Sequence, residues 1–114
     1  MRGAIMEKGP STFAQYWTSE YSLFHHFDEH GAEMGYDEDE IIEYARDAIK
    51  FARSSERGIK AFRATNDSIY KYNPKTNEFI IITKDGKIVT YYYPSNGIHY
   101  FEDRYLEYGK NWIL

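Results

Sequence analysis

"SIYKYNPKTNEFIIITKDGKIVTYYY", residues 68–93, decides the fold class. Three runs within it, 68–73, 78–83 and 87–93, are rich in β-branched and aromatic residues, the composition that fits a pleated, half-buried surface. Asn73-Pro74-Lys75-Thr76-Asn77 and Lys84-Asp85-Gly86 separate them. Proline presets one backbone angle there, while asparagine and glycine tolerate a left-handed one, so both segments read as tight turns. Connections this short can only reverse the chain, which predicts an antiparallel meander. "GIKAFRAT" (58–65) is expected as a preceding strand and "GIHYFED" (97–103) as a following one, with the tail making a short helical turn that docks Trp112 and Ile113.

Upstream the period changes. Phe13, Tyr16, Trp17, Tyr21, Phe24 and Phe27 recur at mostly helical spacing, predicting one helix over about residues 12–30 that Gly31 and Gly35 interrupt. A second helix follows: Asp37 is expected as its N-cap, Glu40 three residues later completes a capping-box pattern, and Ile41, Ala45, Ala48, Ile49 and Ala52 form one apolar stripe. It should fade near Ser54–Ser55. The expected architecture is α+β: two N-terminal helices packed on a four- to five-stranded antiparallel sheet, in a single domain over 12–114 after an N-terminal extension, 1–11.

Composition narrows the function classes. The chain has 114 residues and no cysteine, which excludes disulfides and thiolate metal sites. No apolar run approaches the roughly 20 residues of a membrane span, and residues 1–12 lack the apolar core of a signal peptide. The chain therefore reads as a soluble domain whose export would need a signal on a larger parent protein. A formal charge of −4 argues against a simple basic nucleic-acid binder. The charge is uneven, however. Residues 28–47 hold nine acids against one arginine, whereas 50–63 hold five cations against Glu56 alone, so a local anion grip remains open.

Three of the four histidines fall in "HHFDEH", residues 25–30. His26 and His30, four apart, share a helix face, but Phe27 stands where zinc peptidases carry a glutamate, and no third ligand is well spaced. No metal and no cofactor are expected. His30 ends the helix just before the glycines, where a cleft can open, and an imidazole suits proton transfer near neutral pH. On the third run Thr90 and Tyr92, two apart, project to one sheet face, where a hydroxyl can orient a phosphate and a ring can stack on a base. Each of these also has an ordinary structural reading, as a helix-cap histidine or a cross-strand pair.

Read in order, "HHFDEHGAEMG", a capped helix, "SIYKYNPKTNEFIIITKDGKIVTYYYP" and "GIHYF" resemble the colicin D-like bacterial toxin nucleases. These belong to the barnase–EndoU–colicin–RelE-like superfamily, and several are carried at the C-termini of contact-dependent inhibition proteins. The likeness spans about residues 23–101. It implies a metal-independent endoribonuclease toxin domain, most often a tRNase, that leaves a 2′,3′-cyclic phosphate. By position it implies His30 as acid/base, with Thr90 and Tyr92 as the hydroxyl and aromatic of the site. Substrate-binding candidates are His26 and the cations Lys60, Arg63 and Lys71. It further implies a cognate immunity protein, a monomer when free, no membrane partner, and action in the target-cell cytoplasm after export on a larger parent. Glu29 and Tyr93 stand where family members commonly carry lysine. Two other readings remain: a non-catalytic RNA- or protein-binding domain, and a two-histidine enzyme pairing His30 with His26 or His99.

Overall fold

A computed structural model describes residues 10–114; residues 1–9 of the expected N-terminal extension lie outside the described part. The described chain is α+β, with helices α1 (Pro10–Ala14), α2 (Glu20–His30), α3 (Ile41–Arg53) and α4 (Gly97–Tyr108). The strands are β1 (Lys60–Ala64), β2 (Ile69–Asn73), β3 (Glu78–Ile82), β4 (Ile88–Tyr92) and β5 (Gly109–Trp112). They form one antiparallel sheet in the order β4-β3-β2-β1-β5. The meander predicted for 68–93 is present nearly residue for residue, with Asn77 taking a φ of 67° and Gly86 a φ of 88° in the two turns. Both angles lie in the left-handed region that asparagine and glycine tolerate.

Three expectations are corrected. Residues 12–30 are not one helix: the chain leaves α1 at Ala14, and Trp17 bridges Ile88 on the outer edge of β4. Thr18 N–H donates to the Ile88 carbonyl at 2.9 Å, and Ile88 N–H donates to Tyr16 at 2.8 Å. This covers an edge strand that would otherwise present unpaired backbone groups. Ser19 then restarts the helix as an N-cap, its hydroxyl accepting from Ser22 N–H at 2.9 Å.

The second correction concerns Asp37, which is not the N-cap of α3. Glu40 occupies that position, and its carboxylate accepts from Asp37 N–H at 2.7 Å. The reach-back half of the capping box is present, attached to a turn that precedes the helix. Third, residues 97–103 are helix rather than strand, and the tail is strand rather than helical turn. Ile98, Phe101, Tyr105 and Tyr108 recur at helical spacing, and Gly109 ends the helix where a Cβ would stand 2.5 Å from the Tyr105 carbonyl oxygen.

The sheet has a packed layer on each face. Ile80, Ile82, Ile88 and Tyr91 meet Leu23 of α2 and Tyr44, Ala45, Ala48 and Phe51 of α3 in one core. The other core is Phe62, Ala64, Tyr72 and Phe79 under Phe101 of α4. Lys71 lies in the first layer, buried, with its ammonium donating to the carbonyls of Phe51, Ala52 and Ser54 at 3.3, 3.0 and 2.6 Å. Burial lowers its pKa, but the carbonyls sit at the C-terminus of α3, where a cation satisfies orphan acceptors and complements the helix dipole. Lys71→Met keeps the apolar stem and removes the donors. It should lower stability by about 1–3 kcal/mol, read from urea unfolding.

Candidate active site

Strand alternation sorts the candidate residues. In register, Tyr72, Phe79 and Tyr92 form one cross-strand row, and Lys71, Ile80 and Tyr91 form the next, on the opposite face. Thr90 and Tyr92 therefore face α4's side of the sheet. α2 runs beside the β4 edge, where Ser22 Oγ donates to the Val89 carbonyl at 3.1 Å. From there its last turns carry His26 and His30 to the Thr90–Tyr92 face.

The geometry is close. His26 Nδ1 and Thr90 Oγ1 are 3.1 Å apart, a hydrogen bond whose donor depends on the imidazole tautomer. The His30 ring stacks on Tyr92 with centroids 4.4 Å apart and planes at 18°. His26 and His30 are themselves parallel within 7°, with centroids at 5.9 Å. Burial chiefly, and the neighbouring His30 and His25, lower the pKa of His26 against an opposing pull from Glu29. The neutral imidazole, able to accept a proton, is thus favoured there. The His30 side chain is 22% exposed, and its Nε2 lies 3.6 Å from a Glu29 carboxylate oxygen. Tyr92 is held from both sides, by Phe79 beneath it and by a hydroxyl–hydroxyl bond to Tyr100 of α4. Burial, foremost, and that bond raise the Tyr92 pKa, so its hydroxyl stays protonated.

The three cations expected at the phosphate are elsewhere. Lys71 is committed to α3 on the other face. Arg63 shares that face with Ile69 by register, and its Nη1 donates to the Asp67 carbonyl at 3.1 Å in the β1–β2 turn. Lys60 lies in the Tyr92 row but three strands away, roughly 14 Å at the usual strand spacing. His99 is an exposed residue of α4 paired with Glu102 at 3.7 Å, apart from the stacked imidazoles. Two residues that the sequence did not mark as site candidates do reach the site: Tyr100, bonded to Tyr92, and Arg104, whose guanidinium lies over the Tyr100 ring at 5.0 Å. Their i, i+4 spacing was the available signal, hidden because 97–103 also reads as a strand.

Folding also supplies the third ligand that sequence spacing did not show. His26, Glu29 and His30 each offer a ligand atom, all within 4.8 Å of one another. The same two imidazoles, parallel within 7° and 5.9 Å apart, are the pair placed beside Thr90 and Tyr92.

No family model matches the chain, and no curated protein matches it. Among solved structures, it is similar to one described as a ribonuclease from Escherichia coli complexed with its inhibitor protein. The identity is 22%, covering 70% of this chain and 95% of that chain, with a TM-score of 0.48.

Proposed function

We propose that this domain is a metal-independent endoribonuclease toxin in which His30 moves the proton. One observation carries the reading: His26, His30, Thr90 and Tyr92, drawn from segments 64 positions apart, meet in one hydrogen-bonded and stacked group. In the proposed reaction an imidazole takes the proton of a ribose 2′-hydroxyl and O2′ attacks the adjacent phosphorus. The bond to O5′ breaks, and the departing oxygen takes a proton back, leaving a 2′,3′-cyclic phosphate and a 5′-hydroxyl. Thr90 fixes the His26 ring, and Tyr92 supplies the surface on which His30 rests. A specific observation favours a two-histidine variant, with His26 as base and His30 as acid: their rings stand 5.9 Å apart, and the environment of His26 favours its neutral form.

The sequence likeness over residues 23–101 supports the finer assignments. These are tRNA as substrate, a larger exported parent protein, action in the target-cell cytoplasm, and an immunity protein that covers the groove while the free domain is monomeric. The test is incubation of the purified domain with total RNA in excess EDTA, followed by sizing of the products. Discrete tRNA-length fragments at the untreated rate are expected. Cleavage that stops in EDTA and returns with zinc would assign an ion to His26, Glu29 and His30 instead. Intact RNA under both conditions would favour the binding-domain reading.

A further inference from the structure

A nuclease of this kind needs a cation for the phosphate, and the cations suggested by sequence are directed elsewhere. α4 brings a different one. Tyr100 and Arg104 are four apart on α4, and the guanidinium carbon lies 5.0 Å from the Tyr100 ring and 5.8 Å from the Tyr108 ring. The Tyr100 hydroxyl bonds to Tyr92, on which His30 stacks. The charge thus stands one aromatic residue beyond Tyr92, close enough to favour ionisation of the Tyr92 hydroxyl against the larger effect of burial.

Arg104 is also under-committed. A guanidinium has five N–H donors; among the described residues its pairing is Nη2 to Glu107 at 3.0 Å, and Nε is enclosed without an acceptor. The side chain is 30% exposed and Glu107 51%, so their ion pair is a weak, water-competed one. We propose that Arg104 is the cation that grips the RNA phosphate next to the scissile one, and that Glu107 is a competing carboxylate which holds it until RNA arrives. The planar fork of guanidinium matches two phosphate oxygens, and stacking on Tyr100 and Tyr108 keeps that fork oriented. The inference rests on the ribonuclease reading and adds its phosphate-binding residue.

The experiment measures binding of a fluorescein-labelled, 2′-O-methylated single-stranded RNA, which cannot cyclise, across a salt titration. Arg104→Gln should weaken binding about 10–100-fold, the scale of one charge-assisted hydrogen-bonded contact. It should also reduce the slope of log affinity against log salt by about 0.7, the value for one phosphate contact on a single strand. Arg104→Lys should keep the slope and recover part of the affinity. Glu107→Gln should bind more tightly than wild type, a gain that damage to the fold cannot imitate. On cleavable RNA, Arg104→Gln should raise KM more than it lowers kcat. An unchanged affinity and slope in Arg104→Gln, or a loss of affinity at constant slope, overturns the assignment while wild-type cleavage leaves the ribonuclease reading intact. A wild-type domain that neither binds the oligonucleotide nor cuts RNA removes both.

Discussion

Replacing His30 with alanine is expected to lower RNA cleavage by about 10²–10⁴-fold, the usual contribution of a positioned acid or base. The comparison that gives this number meaning is with its neighbours. His25 is exposed, stacked on Tyr21 and 3.4 Å from Glu29, so His25→Ala should leave the rate near wild type. His26→Ala removes the partner of Thr90 and a ring against Trp17; a loss as large as that of His30→Ala, in a folded protein, would establish the two-histidine scheme. Circular dichroism and urea unfolding of each variant separate chemistry from folding, since His30 also ends α2. Near-wild-type cleavage by His30→Ala would remove the proton-transfer assignment.

Phe79→Ala should destabilise the fold by about 3–5 kcal/mol. Phe79 has no exposed surface, and its ring meets those of Tyr70, Tyr92, Tyr100 and Phe101. A loss of that size is a large fraction of the 5–15 kcal/mol that stabilises an ordinary domain. Alanine would leave a cavity beneath the two tyrosines that carry the His30 stack and the Arg104 contact. Cleavage by the fraction that remains folded should therefore fall as well, unlike that of Lys71→Met on the opposite face. Urea midpoints give the first quantity, and rates measured well below the midpoint give the second. A Phe79→Ala protein with a wild-type midpoint would show that α4 does not form the second core.

Local chemistry made part of this molecule readable. The meander over 68–93 is specified by β-branched runs and by turn residues that suit their backbone angles, so β2, β3 and β4 fall within a residue or so of expectation. α3 is carried by an apolar stripe strong enough to be read despite the misplaced cap. The errors came where a non-local partner chose between two local options. Ile98 and Tyr100 alternate as in a strand, while Ile98, Phe101 and Tyr105 recur as in a helix; burial of Phe101 against Phe62, Tyr72 and Phe79 selects the helix. Residues 16–18 carry helical spacing too, but the open edge of β4 captures their backbone instead.

The same division applies to the site. Residue type and spacing alone determined that His26 and His30 share a helix face, that Thr90 and Tyr92 share a sheet face, and that the sheet is antiparallel. The shared faces follow from local periods of 3.6 and 2, and the antiparallel sense from turns too short for a crossover. Only the tertiary structure decided that the two faces meet, because that depends on α2 lying along the β4 edge. It also separated the cations, since strand parity sends Lys71 and Arg63 to one face and strand order leaves Lys60 far along the other. It brought in Arg104 from a helix whose local pattern also fits a strand and whose position depends on aromatic burial. Periodicity sets which side chains point together along one element; packing between elements sets which of them meet.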